Sequence, residues 1–148
     1  MRIVVQAEPF DFGAEAQAFA SGHQDQGAVV TFTGIVRNNA EGTLERMAIE
    51  HYPGMTEKAL TKIAQEALQR WNLGDALVIH RHGDLKPGEM IMMVATASRH
   101  RKHAFEAAEF LMDYLKSRAP FWKKEFLTDG ANWVAAKDED EESLSRWD

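Results

Sequence analysis

Two long segments with helical hydrophobic spacing constrain the fold more than any other feature of the sequence. The first covers residues 55–71, and the second runs from about Arg101 to Arg118. In both segments apolar residues recur every three or four positions, which is typical of an amphipathic helix packed on a core. Because segments typical of strands precede, separate and follow these helices, the order predicts a single α+β domain.

Runs of β-branched and aromatic residues mark the strands. The predicted strands cover residues 2–5, 27–37, 43–52, 75–83, 90–98, 121–127 and 131–136, and a shorter helix begins near Asp11. The run at 90–98 is strongly apolar, which indicates a central strand. The polar turn that begins at Asn38 predicts that the second and third strands pair with each other.

Finer details of the two helices also follow from the spacing. Thr56 is the expected N-cap of the first helix. The second helix is expected to bury one face, formed by Phe105, Ala108, Met112 and Leu115. We expect residues 1–136 to form the domain and residues 137–148, with the acidic run from Asp138 to Glu142, to form a solvated tail.

Composition limits the chemistry. The chain has 148 residues and no cysteine, which excludes a thiolate zinc site, a cysteine nucleophile and a persulfide carried on this chain. The net charge of −6 argues against a general nucleic-acid binder. The N-terminus lacks a secretory apolar run and no segment has the length of a membrane span, so the expected location is the cytoplasm.

A bend at Pro120 is surrounded by cations. They are Lys116, Arg118, Lys123 and Lys124. Phe121 and Trp122 follow the proline and are expected to be buried, and strand alternation places Lys123 on one face with Phe121 and Glu125. Two interpretations remain open: a pocket that handles anions, or lysines with apolar stems on the surface and ammonium groups in water.

Basic residues also crowd the N-terminal end of the second long helix. They are Arg99, His100, Arg101, Lys102 and His103. The helix dipole disfavours cations at this end and favours anions, so the placement favours a phosphate or carboxylate site over a solvated basic turn.

Arg37 and two pairs of histidines are further candidate binding residues. Arg37 ends a predicted strand before a polar turn, where binding residues are common, although an exposed turn arginine is the simpler interpretation. His80 and His82 are predicted to share a strand face, and His100 and His103 a helix face. No carboxylate or thiolate completes a ligand set for either pair, so we expect no metal site.

Five segments, in this order and spacing, resemble the large, catalytic subunit of molybdopterin synthase. They are GAVVTFTGIVRN, EHYPGMTEKAL, VIHRHGDLKPGE, SRHRKHAFEA and DYLKSRAPFWKKE. The resemblance extends from about Ile3 to Trp133, and five ordered segments are far more specific than a single motif. It implies an α/β hammerhead-type fold with a small added antiparallel β-subdomain.

The resemblance also implies an activity and partners. A small ubiquitin-like subunit ending in Gly-Gly would carry sulfur as a C-terminal thiocarboxylate, which agrees with the missing cysteine. Two sulfur transfers to cyclic pyranopterin monophosphate would form the dithiolene of molybdopterin, with no cofactor. Two copies of this chain would form the centre of a heterotetramer, with one small subunit at each end.

Individual residues match the family's site. Lys116 and Lys123 match its active-site lysines, His100 and Arg101 match its anion-pocket pair, and Arg37 matches a further binding arginine. Arg99 stands where relatives are expected to have a small residue, which alters the charge of that pocket.

The two groups of cations lie at opposite ends of one predicted helix. At a rise of 1.5 Å per residue, its ends are roughly 25 Å apart, too far for one small substrate. Either another element folds between the two ends, or His100 and Arg101 serve the lysines of the other protomer in a dimer. The second option agrees with the dimer that the resemblance implies, and we adopt it as the expectation. A rival hypothesis is a non-catalytic module that uses the same cations to bind an acidic protein tail or a nucleotide.

Overall fold

The computed structural model describes residues 1–134 and 138–148. In chain order the elements are β1 (Arg2–Gln6), α1 (Phe12–Ser21), β2 (Ala28–Ile35), β3 (Leu44–His51), α2 (Met55–Trp71), β4 (Asp75–Arg81), β5 (Gly83–Leu85), β6 (Met90–Ser98), α3 (Arg101–Ser117), β7 (Phe121–Leu127), β8 (Gly130–Trp133) and α4 (Asp138–Ser143), followed by a 3₁₀ helix at Leu144–Trp147. No helix in these described ranges is both long and apolar enough to cross a membrane.

The strands form two four-stranded sheets. The first has the order β1-β4-β6-β2, and the second has the order β5-β3-β7-β8. β1 pairs with β4 in parallel, while every other pairing is antiparallel. β6 is buried from Ile91 to Ser98, and it pairs on both sides, so its prediction as a central strand is confirmed. The α+β class is confirmed as well.

The predicted pairing between β2 and β3 is wrong. β2 pairs with β6, whereas β3 pairs with β5 and β7 in the other sheet. Val36, directly after β2, still pairs with the turn that precedes β6. Its N–H donates to the Glu89 carbonyl, and its carbonyl accepts a hydrogen bond from the Gly88 N–H. The Asn38 and Asn39 side chains then accept hydrogen bonds from the N–H groups of Leu44 and Thr43. These bonds fix the loop that leads into β3 of the second sheet.

The two long helices pack together and bury apolar faces against the sheets. α3 buries Ala108 and Leu115 as predicted. Phe105 was placed on the same face, but its side chain is 61% exposed. Ala104 and Ala107 take the buried positions around it, and each residue turns the helix by about 100°, so a neighbouring position leaves the core.

Thr56 does not cap α2. Gly54 is the N-cap, with φ of 85°, and its N–H donates to the Glu57 carboxylate. The Thr56 hydroxyl is buried, donates to the Pro120 carbonyl at 3.0 Å and accepts the Tyr52 N–H at 2.9 Å. Thr56 therefore fastens the start of α2 to the bend that precedes β7.

The C-terminal segment is only partly the solvated tail that the sequence predicts. The acidic run lies in α4, which packs on α3, while Glu139, Glu141 and Glu142 stay exposed. Trp147 packs edge-on against Trp71 and Phe110, at centroid distances of 5.5 Å each, and its indole donates to Asp113. These contacts hold the end of the chain on the two long helices. The predicted domain boundary between residues 136 and 137, and the last two residues of the predicted strand 131–136, lie outside the described residues.

Candidate functional site

The bend at Pro120 joins the end of α3 to the start of β7. Lys116 lies in the last turn of α3, and Lys123 lies on the face of β7 that also carries Phe121 and Glu125. The alternation predicted from the sequence is confirmed. Trp122, on the opposite face, is 49% exposed, so the expectation that it is buried is wrong.

An open cleft of about 690 Å³ lies between the two sheets and the end of α3. Arg37, Lys116 and Lys123 line it together, although they come from three separate segments of the chain. The walls combine polar and apolar surface in about equal parts, and the apolar part includes Phe32 and Ile91. A second hollow of about 460 Å³ shares both lysines, which therefore line both hollows.

Carboxylates also line the cleft, so its charge is mixed. Glu125 projects from β7, and Asp140 comes from α4 at the C-terminal end of the chain. Arg118, beside the second hollow, forms an ion pair with Glu141 at 2.7 Å, and the hydrogen bonds that Arg118 donates to that carboxylate raise the pKa of Arg118. Arg118 is thereby directed to α4, whereas Lys116 and Lys123 line the cleft.

His100 and Arg101 do not line this cleft. Both are exposed at the N-terminal end of α3, where His100 is the N-cap residue and its side chain makes no capping hydrogen bond. Lys116 lies fifteen residues beyond Arg101 in the same helix, so the two ends are separated by roughly 23 Å. The structure of one chain brings together three of the five predicted site residues and leaves these two apart.

His80 is a cleft residue, whereas its position in the sequence indicated only a candidate metal ligand. Its ring is 5% exposed, lines the cleft and stacks on Phe121 with 3.7 Å between ring centroids and an angle of 16°. Burial, reinforced by the positive charge of Lys123, lowers the pKa of His80 to about 3, although the hydrogen bond with the Arg81 carbonyl opposes the shift. The only signal in the sequence is a histidine inside an apolar strand.

The other histidine of the predicted pair follows β4 and points elsewhere. His82 stacks on His51 with 4.0 Å between ring centroids, and burial, followed by the neighbouring His51, lowers the pKa of His82. Within residues 1–134 and 138–148, no group of three or more histidine or carboxylate side chains is placed to hold a metal ion.

The low pKa of His80 predicts that acid destabilises the protein. The imidazole stays neutral in the folded chain down to a pH of about 3, but its ordinary pKa is 6.5, so below pH 6.5 the unfolded chain binds the additional proton. Stability is therefore lost as the pH falls, by about 2 kcal/mol between pH 6.5 and pH 5. Urea unfolding at both pH values measures this loss.

A His80→Phe variant is the control for that measurement, because it keeps an aromatic ring but has no imidazole to protonate. Its loss of stability between the same two pH values should be smaller by about 2 kcal/mol. If the two proteins lose stability equally, the imidazole of His80 is already protonated in the folded state and the prediction fails.

Comparisons with known proteins agree with the fold. The family model described as MoaE protein matches residues 5–118. A molybdopterin synthase catalytic subunit from Cereibacter sphaeroides is 69% identical over 147 residues, covering 99% of this chain and 100% of the relative. The solved MoaE protein of Burkholderia ambifaria has a TM-score of 0.84 at 48% identity, covering 99% of this chain and 97% of its own.

A more distant structure extends the likeness in fold. It is a complex of subunits 1 and 2 of the molybdopterin-converting factor from Helicobacter pylori, with a TM-score of 0.75 at 20% identity, covering 92% of this chain and 90% of its own. The family model spans most of this chain, and the Cereibacter relative matches it from end to end. The chain therefore belongs to the MoaE family, the catalytic subunits of molybdopterin synthase, which are enzymes of molybdenum cofactor biosynthesis.

Proposed function

We propose that this chain transfers sulfur from the thiocarboxylated C-terminus of a small ubiquitin-like subunit to cyclic pyranopterin monophosphate, forming the dithiolene of molybdopterin. The observation that carries the proposal is the convergence of Arg37, Lys116 and Lys123 in one cleft of about 690 Å³. The absence of cysteine from the chain agrees with sulfur that arrives on a partner.

The charges of the cleft suit two anionic reactants. The cyclic phosphate and the thiocarboxylate are both negative, and each needs cations when it leaves water. The thiocarboxylate sulfur would bond to a carbon of the substrate, and water would then add to the carbonyl of the resulting thioester. The tetrahedral intermediate carries a negative oxygen, and cleavage of its C–S bond leaves the sulfur on the substrate and an ordinary carboxylate on the carrier. We assign Lys116 to neutralise that oxygen or to move a proton, and Lys123 to hold the substrate or the carrier's terminal carboxylate.

The apolar walls strengthen this arrangement. Phe32, Ile91 and Leu115 line the same cleft as the lysines. Where a bound reactant displaces water from these side chains, electrostatic interactions become stronger, so a cation beside the reactant stabilises a developing negative charge more than it would in bulk solvent. Arg37, which is exposed at the end of β2, is assigned to bind the phosphate because a guanidinium matches phosphate oxygens in pairs.

We further propose that His100 and Arg101 complete the site of a second copy of the chain. They lie roughly 23 Å along α3 from Lys116, so one small substrate cannot touch both ends within one chain. The edge strand β2 exposes Phe32 and Ile35, which both line the cleft, and exposed apolar side chains grouped in this way are typical of protein interfaces. A copy packed on this edge would therefore lie beside the lysines.

Reconstitution tests the activity. The purified chain, a thiocarboxylated small subunit and cyclic pyranopterin monophosphate, with no cofactor added, should yield molybdopterin detectable by mass spectrometry. The matched control uses the same small subunit with an ordinary C-terminal carboxylate and should yield none. Binding of both partners without product would instead support the non-catalytic module.

The heterotetramer, the cytoplasmic location and the domain limits at residues 1–136 stay part of the proposal.

Lys123→Ala should weaken turnover mainly through substrate binding. Loss of a hydrogen bond to a charged group raises KM by about 10-fold to 100-fold, with a smaller change in kcat. Lys124→Ala is the matched control, because Lys124 lies on the opposite face of β7 against the rings of Phe126 and Trp133. An unchanged KM in a folded Lys123→Ala protein would contradict the assigned role.

A further inference from the structure

His80 connects the two sheets at the base of the cleft. It belongs to β4 in the first sheet, and its ring stacks on Phe121 of β7 in the second. Lys123 lies two residues after Phe121 on the same face of β7, and its positive charge acts on the His80 ring. The imidazole and Lys123, one of the two lysines that we assign to the reaction, therefore line the same cleft.

The hydrogen bond of the ring defines which nitrogen carries its proton. His80 Nδ1 lies 2.8 Å from the Arg81 carbonyl oxygen. A carbonyl oxygen only accepts hydrogen bonds, so Nδ1 is the donor, and in the neutral ring Nε2 carries the lone pair. Nε2 can then accept a hydrogen bond, whereas a lysine ammonium can only donate one.

A cation that must bind an anion is best oriented by an uncharged hydrogen-bond acceptor. A carboxylate such as Glu125, which lines the same cleft, would orient an ammonium but would also cancel its charge. An uncharged imidazole orients the ammonium and leaves its full charge available. Burial keeps His80 neutral, because burial in an apolar environment disfavours the charged form of a base.

We propose that His80 is a positioning residue for Lys123: its Nε2 accepts a hydrogen bond from the Lys123 ammonium and directs that cation towards the anionic reactants. The stacked Phe121 ring holds the imidazole in place for this contact. The inference rests on the proposed function, because Lys123 needs an orientation only if it binds a reactant.

A double-mutant cycle tests the coupling. His80→Phe keeps a ring to stack on Phe121 but has no Nε2, so it should lower kcat/KM by about tenfold or more, mainly through KM, as Lys123→Ala does. In a Lys123→Ala background the same substitution should change kcat/KM less than about twofold. His80→Gln, which supplies an amide oxygen as acceptor, should recover part of the loss. An equal loss with and without Lys123, or no loss at all, would overturn the proposal.

A second measurement needs neither turnover nor a substitution at His80. The ¹⁵N chemical shift of His80 Nε2 at neutral pH reports whether its lone pair accepts a hydrogen bond. In the Lys123→Ala protein this signal should move towards the value of a free neutral imidazole, while the signal stays in place in Lys124→Ala. A signal unchanged by Lys123→Ala would overturn the proposal. If the wild-type protein makes no molybdopterin, the proposed function fails, and this shift still decides whether His80 binds Lys123.

Discussion

Lys116→Ala is expected to lower kcat by about 10²–10³ and to leave the fold intact. Lys116 lies in the last turn of α3, is exposed and lines both hollows, so its removal deletes a cation from the cleft and disturbs little core. The change in the free energy of unfolding should stay within about 0.5 kcal/mol. Single-turnover kinetics with the thiocarboxylated small subunit measure the loss.

Two further variants make the Lys116 result specific. Lys62→Ala also removes an exposed helical lysine, but Lys62 lies in α2 and does not line the cleft, so its turnover should match the wild type. Lys116→Arg keeps a positive charge that does not dissociate in the working pH range. If Lys116 acts by charge, this variant should retain part of the activity, and if it transfers a proton, the activity should be lost. Full turnover in a folded Lys116→Ala protein would refute the catalytic assignment.

Mixing two inactive variants is expected to restore activity. If Arg101 serves the lysines of the other protomer, an Arg101→Ala chain and a Lys116→Ala chain form a heterodimer with one site that carries both substitutions and one that carries neither. Each homodimer should be nearly inactive. With equal amounts and random exchange, half of the dimers are mixed and half of their sites are intact, so about a quarter of the wild-type activity should return.

The control for this experiment pairs two lesions that lie in one cleft. A mixture of Lys116→Ala and Lys123→Ala chains should show no rescue, because both residues line the same cleft of one chain and every heterodimer site then carries one lesion. Native mass spectrometry confirms that the subunits have exchanged. If the Arg101→Ala mixture also stays inactive after exchange, the site is not shared in this way, and the basic end of α3 loses its assigned role.

The fold was predictable where the signal is local. The twofold alternation of β7 placed Lys123 with Phe121 and Glu125, and the structure confirms it because side-chain direction in a strand depends only on neighbouring residues. Strand partners are not local. The turn at Asn38 and Asn39 suggested a hairpin, but hydrogen bonds with residues some fifty positions away decide that β2 and β3 belong to different sheets.

In the candidate site, too, residues with a local sequence signal were predictable and residues defined by long-range contacts were not. Lys116 and Lys123 were identified because they flank one bend, and Arg37 was identified through a family resemblance, since its position in the sequence indicated only an exposed turn residue. His80 was missed as a cleft residue, because its contact with Phe121 joins residues that are forty-one positions apart in different sheets. A single histidine in an apolar strand does not reveal its partner.

The four tryptophans of the chain divide into two pairs with different surroundings. Trp71 and Trp147 are packed edge to face between the long helices and the C-terminal turn, while Trp122 and Trp133 are exposed and line the hollow that shares both lysines. An indole in contact with water emits at longer wavelength than a packed one. Emission at shorter wavelength therefore comes from the packed pair and reports on the packing of the chain end, whereas emission at longer wavelength comes from the exposed pair and reports on occupancy of the hollow. The protein therefore contains an intrinsic optical probe for each event, and binding of an added ligand in the hollow can be followed without attaching a dye.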